Sequence, residues 1–129
     1  MTGEDPWGIS FLRMFDMSLD SSLFRTREQL ENSGHKNSGY YMELSSERWE
    51  PLYEAKMVIH FDHRFGTHFD LSKRKKTLPT PSSADHFDPE FCVLPWYWVP
   101  QKEVIERTNK WRRGYFIGFR DVTDAMNER

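Results

Sequence analysis

Three small constellations in this chain have residue types and spacings that can carry chemistry. Glu54-Ala55-Lys56 is an E-x-K triplet. In that arrangement a carboxylate binds a divalent metal and a lysine stabilises charge developing at a scissile phosphate. With Asp16 or Asp20 as the upstream metal-binding acid, it reads as a small magnesium-dependent nuclease using Glu54 and Lys56. A triplet is short, and ordinary solvated or packed side chains account for most such matches. His60-x-x-His63, with Asp62 between and His68 beyond, is the one metal-like cluster. Catalytic zinc needs a third ligand and an activated water, and nothing in the spacing fixes that ligand. Histidines on a polar face are the plainer reading. Arg112, Arg113 and Arg120 interleave with Trp96, Tyr97, Trp98 and Trp111. Such a set holds phosphates and stacks on unpaired bases, or makes the ordinary packing of Arg on Trp. The chain has no G-x-G-x-x-G, Walker or G-x-S-x-G motif. Its single cysteine, Cys92, excludes an internal disulfide and a multi-cysteine zinc site.

The elements that must position these residues follow from periodicity and punctuation. A short strand is expected near 9–15, followed by a turn. Thr26 is the N-cap of a short helix over 27–33, with Gln29 and Glu31 following and Gly34 as its stop. Residues 34–39 form a turn, and Tyr40–Leu44 a short strand closed by Ser45-Ser46. The strongest helix is expected from Pro51 to Phe65, because proline suits a first helical turn. There Leu52, Ala55 and Ile59, and Glu54, Val58, Phe61 and Phe65, form adjoining stripes. Lys56, His60, His63 and Arg64 then share a polar side, and Gly66 ends the helix. Residues 72–90, with four cations at Lys73–Lys76 and prolines at 79, 81 and 89, read as a flexible connector. Basic runs of this kind are usually solvated loops, although flexible cations near DNA raise affinity without specificity. Phe91–Val99 reads as an edge or bulged strand broken by Pro95. A helix starts at Pro100 and runs to about Trp111, a strand is expected over Tyr115–Phe119, and Asp121 caps a final short helix. The sum is an α+β fold of few short mixed strands and two or three helices.

Composition bounds the function. The 129 residues suit one domain, and no apolar run approaches the ~18 residues of a spanning helix. The N-terminus lacks a basic-then-apolar signal layout, which points to the cytoplasm. The net charge is −2, divided into −4 over residues 1–50 and +2 over residues 51–129. An autonomous nucleic-acid binder is expected at a pI above ~9, so with DNA as partner this chain supplies part of the contact surface. Twenty rings face only 18 Leu, Val and Ile. Such an excess packs a core around rings or presents rings to a partner domain, a second copy or nucleic acid.

Four ordered segments carry a resemblance: MFDMSLDSSLFRTREQL (14–30), PLYEAKMVIHFDHRFGT (51–67), FCVLPWYWVP (91–100) and GFRDVTDAMNER (118–129). Together they resemble an internal region of large bacterial adenine-specific DNA methyltransferases of restriction–modification and phage-defence systems, of the single-chain type IIG kind. The resemblance implies N6-adenine methylation with S-adenosylmethionine in a much longer protein. The Asn-Pro-Pro-Tyr motif of that family does not occur here, nor does its cofactor loop, so no catalytic residue is carried over and no cofactor is expected in this chain. Where the family tends to have Arg before Tyr-Trp-Val-Pro, this chain has Trp96. The expectation is a partial domain, 1–129, whose family chains continue past Arg129. It would lie between catalytic and target-recognition parts, braced against the methyltransferase domain or another chain and helping to position DNA. Lys56, His60, His63, Arg64 and Arg120 are its expected exposed DNA-contacting face, with Tyr97 and Trp98 as packing anchors or base-stacking rings. A protein-interaction module that never touches DNA is the alternative.

Overall fold

The computed structural model describes residues 7–118. Within them lie five short strands: β1 (Arg25–Thr26), β2 (Lys36–Asn37), β3 (Met42–Leu44), β4 (Glu47–Leu52) and β5 (Tyr97–Pro100). Three helices accompany them, α1 (Arg27–Asn32), α2 (Ser83–Phe87) and α3 (Gln101–Arg107). The fold is α+β. The strands form one sheet in the order β1-β5-β4-β3-β2, and every pairing is antiparallel.

Local chemistry explains the elements that the sequence places correctly. Thr26 Oγ1 accepts from Gln29 N–H at 3.3 Å, and the Gln29 side chain accepts from Thr26 N–H at 2.9 Å, a reciprocal cap that starts α1. Gly34, at φ +94°, turns the chain after it. Ser45-Ser46 closes the β3–β4 hairpin, with Ser45 in the left-handed region at φ 56°. Pro100 precedes α3, which ends at Arg107, short of Trp111.

Tertiary pairing overrides the expected helix over 51–65. The segment instead continues β4 through Leu52, makes a 3-10 turn at Ala55–Met57, and is extended at Val58. Pro51 lies in a strand, paired with Trp98. The β3 pairing stops at Trp49, so Pro51 has one strand neighbour, where a missing N–H is tolerated. Gly66 is a site of close approach: a β-carbon there would lie 2.6 Å from the Lys56 carbonyl oxygen and 3.1 Å from Leu78 Cβ. Residues 9–15 are not a strand, and residues 115–118 are exposed and irregular. β5 is an inner strand flanked by β1 and β4, and Phe91–Leu94 precede it as coil. Residues 72–90 contain α2, capped by Ser82 and Asp85, and contribute buried Leu78. The expected helix after Asp121 lies outside the described residues.

Two apolar clusters hold the body together. Leu30 of α1 packs with Met42, Trp49 and Trp98 of the sheet, while Met57, Leu78 and Val93 pack with Phe91 in a second cluster. Trp98 is 2% exposed, and its buried indole N–H has no hydrogen-bond partner among the described residues. Many other rings remain exposed, among them Phe11, Tyr40, Phe61, Phe87 and Tyr115. No helix of the described residues is long and apolar enough to cross a membrane.

Candidate nucleic-acid interface

The residues that sequence reasoning singled out divide into three groups in space. Glu54 stands at the end of β4, its side chain 11% exposed. Its Oε2 faces His68 Nε2 at 3.1 Å and Lys56 Nζ at 3.8 Å, while its Oε1 accepts from the Arg74 guanidinium. Burial alone would raise the Glu54 pKa, but the bonds from Arg74 and His68 and the charges of Arg74 and Lys56 bring it below the usual 4.5. Both carboxylate oxygens are therefore committed to cationic or N–H donors. Among the described residues no three His, Cys, Asp or Glu side chains converge as a metal cage. In the structure this E-x-K triplet forms a charge-matched cluster with His68 and Arg74.

Residue 68 is positioned by backbone stitching. His68 N–H donates to Leu94 carbonyl at 3.0 Å, and the neighbouring Thr67 N–H donates to Pro79 carbonyl at 3.2 Å. Thr67 Oγ1 in turn accepts from Leu94 N–H at 2.7 Å. The imidazole lies 5.6 Å from the Trp96 ring. Burial pulls its pKa below 6.5, outweighing the Glu54 carboxylate that favours its charge. His68 Nε2 thus faces the Glu54 carboxylate from a buried position that disfavours its charged form. It is separate from His60 and His63, which are exposed.

The anchor fixes the basic run. Arg74 reaches from it to Glu54, its guanidinium 5.2 Å from the Tyr97 ring centroid, and Lys56 Nζ donates to the Lys75 carbonyl. Lys73, Lys75 and Lys76 are left exposed, and among the described residues no ion pair involves Lys73 or Lys76. Leu71 and Ser72, which lead into the run, face Thr26, Arg27, Glu28, Glu31 and Trp96 across a cleft of about 350 Å³, in which Arg27 is paired with Glu31. Sequence reasoning reads 72–90 as a connector and misses Arg74, whose partner lies twenty residues away.

The expected working face is correspondingly redistributed. Lys56 and Arg64 are half-buried and engaged in the fold. The Arg64 guanidinium donates to the carbonyls of His86 (2.6 Å), Asp88 (2.9 Å) and Phe91 (3.2 Å), closing the end of α2. Tyr97 is half-buried beside Phe24, ring centroids 5.6 Å apart. Trp98 is a packing anchor, since a ring in the core presents no face to a base. Trp111 packs on Phe116, while Arg112 and Arg113 are exposed. Arg120 lies outside the described residues.

His86 links α2 to the 59–62 turn. Its Nδ1 faces the Ser82 carbonyl at 2.9 Å and its Nε2 faces Asp62 Oδ2 at 3.2 Å. The Ser82 bond, helped by Asp62 against a smaller effect of desolvation, raises its pKa above 6.5. A raised pKa stabilises the fold fully below pH 6.5, and the contribution fades as pH rises through the folded value. The stability difference between wild type and His86→Gln is therefore largest on the acid side and falls to a pH-independent remainder in alkali. Urea midpoints across this range measure it, and a pH-independent difference contradicts the assignment.

Comparison with protein-family models, with curated proteins and with solved structures yields no match.

Proposed function

We propose that this chain is a non-catalytic, DNA-contacting segment of an adenine-specific DNA methyltransferase of restriction–modification type, and that its basic run holds phosphates. The observation that carries the DNA contact is the exposed Lys73–Lys76 run, tied to the sheet through Glu54–Arg74 and Lys56–Lys75 beside Trp96 and Tyr97. A cation run held in place keeps its charges close together for phosphates without ordering them on binding, which reduces the cost of association. The family assignment rests on the four ordered segments that resemble such enzymes, where the rest of a large protein supplies further phosphate contacts. S-adenosylmethionine and the reacting base belong to other parts of that protein. The exposed rings of Trp111, Tyr115 and Phe116 favour, in addition, a protein neighbour packed against this segment.

A gel shift with a short DNA duplex tests the contact. Binding is expected at low salt and weakens steeply as salt rises, because each neutralised phosphate releases counterion. Absence of any shift at low salt contradicts the proposal. A salt-independent shift contradicts the phosphate contact.

A further inference from the structure

Residues 58–65 leave and rejoin the body at one point, where Phe65 N–H and Gly66 N–H both donate to the Met57 carbonyl at 3.1 Å. At the far end Ile59 and Asp62 exchange both backbone hydrogen bonds, at 3.1 and 3.0 Å, enclosing His60 and Phe61 in a tight turn. Phe61 sits at φ 64°, in the left-handed region. A β-carbon is costly there, and glycine or asparagine is the usual occupant. The occupant is a phenylalanine whose ring is fully exposed at 109%, with the His60 ring 6.3 Å away. Neither burial nor backbone preference explains the ring. Strain retained at a solvent-facing aromatic is the pattern of a residue kept for what it contacts.

The tip is held firmly. Asp62 Oδ1 accepts from Arg64 N–H at 2.9 Å, Asp62 Oδ2 faces His86, and the Arg64 guanidinium is bonded to the carbonyls that end α2. His60 and His63, on either side of Phe61 in the chain, are exposed, and the basic run lies beside the base of the excursion through the Lys56–Lys75 contact. One ring offers roughly 150–250 Å², well below the ~1,000 Å² of a specific protein interface. It matches the face of a single base, and the lysines tied at the base of the excursion match phosphates further along the same DNA.

We propose that Phe61 is a wedge: a rigidly presented ring that stacks on an unpaired or unstacked DNA base while the Lys73–Lys76 run holds phosphates nearer the body of the fold. This rests on the DNA-contacting reading above and adds the residue and the DNA feature it takes. The test compares two duplexes carrying the fluorescent adenine analogue 2-aminopurine, placed opposite thymine in one and opposite an abasic position in the other. Wild type is expected to bind the second about tenfold more tightly and to quench its fluorescence. Phe61→Ala loses the preference and the quenching but keeps the salt-dependent binding of the paired duplex, and Phe61→Trp retains both. Phe61→Gly relieves the backbone, so it raises the melting temperature while losing the preference, which separates the wedge from any loss of fold. Equal behaviour of Phe61→Ala and wild type on both duplexes overturns the wedge and leaves the DNA-contacting reading standing. No salt-dependent binding to either duplex overturns both. Loss of self-association in Phe61→Ala with unchanged DNA binding overturns the wedge in favour of a contact between copies.

Discussion

Trp98→Ala is expected to lower stability by about 3–5 kcal/mol, the usual cost of deleting a large ring from a packed core. A domain of this size has a total of only about 5–15 kcal/mol, so the substitution removes a large fraction of it. The effect is large because Trp98 belongs to the cluster of Leu30, Met42 and Trp49 and also lies on β5, paired with Pro51 of β4 and Arg25 of β1. Trp98→Phe costs far less. It keeps an aromatic ring and removes the buried indole N–H that has no partner, a group whose unmade bond costs about 1–3 kcal/mol. Urea unfolding of the three proteins measures the order wild type, Phe, Ala. A folded, near-native Trp98→Ala protein that has lost DNA binding would return Trp98 to the role of a base-stacking ring.

Glu54→Leu is expected to cost about 2–3 kcal/mol, below the 3–5 kcal/mol of a fully buried broken pair because Arg74 is partly solvated. The substitution leaves His68 Nε2, 1% exposed, without its acceptor and frees Arg74 and Lys56 from their shared anion. The pH dependence has a definite sign. Glu54 has a lowered pKa, so its contribution is present above pH 4.5 and is lost as pH falls towards the folded value. His68, also lowered, contributes above pH 6.5 and loses that contribution on the acid side. Wild type therefore loses stability on acidification through this cluster, and Glu54→Leu shows a shallower Glu54-dependent decline below pH 4.5. Denaturant midpoints at neutral and acid pH measure both parts. The variant is also expected to weaken DNA binding without altering any lysine, because Arg74 no longer ties the basic run to the sheet. Wild-type stability with retained binding would mean that the cluster anchors nothing.

Local signals carry the parts of this fold that depend on near neighbours. Thr26 and Gln29 are three residues apart, so their reciprocal cap is readable from the sequence, as are the Ser45-Ser46 turn and the helix after Pro100. The segment 51–65 misleads because Leu52, Ala55 and Ile59 satisfy helical spacing whatever the backbone does. The strand partners of Pro51 and Leu52 are Trp98 and Tyr97, too distant for periodicity to register. Pro51, sound as a first helical residue, proves equally sound in a strand with one neighbour. The candidate interface is half visible: the cations of 73–76 announce themselves, but Arg74's bond to Glu54 is a tertiary fact. The aromatic excess resolves in both directions, since Trp49 and Trp98 build the core while Phe61 and Tyr115 stand in solvent. Phe61 gives no sequence signal at all, because a left-handed conformation is not announced by a phenylalanine.

The central claim is that the anchored lysines hold DNA phosphates, and the salt slope of binding tests it most directly. Affinity for a short duplex is measured over a range of salt concentrations for wild type and for Lys73→Gln/Lys76→Gln, neither of which removes a described ion pair. The predicted result is weaker binding by the variant and a slope of log affinity against log salt shallower by about 2, roughly one for each lysine–phosphate pair removed. An unchanged affinity and slope in a variant that folds as wild type would contradict the account.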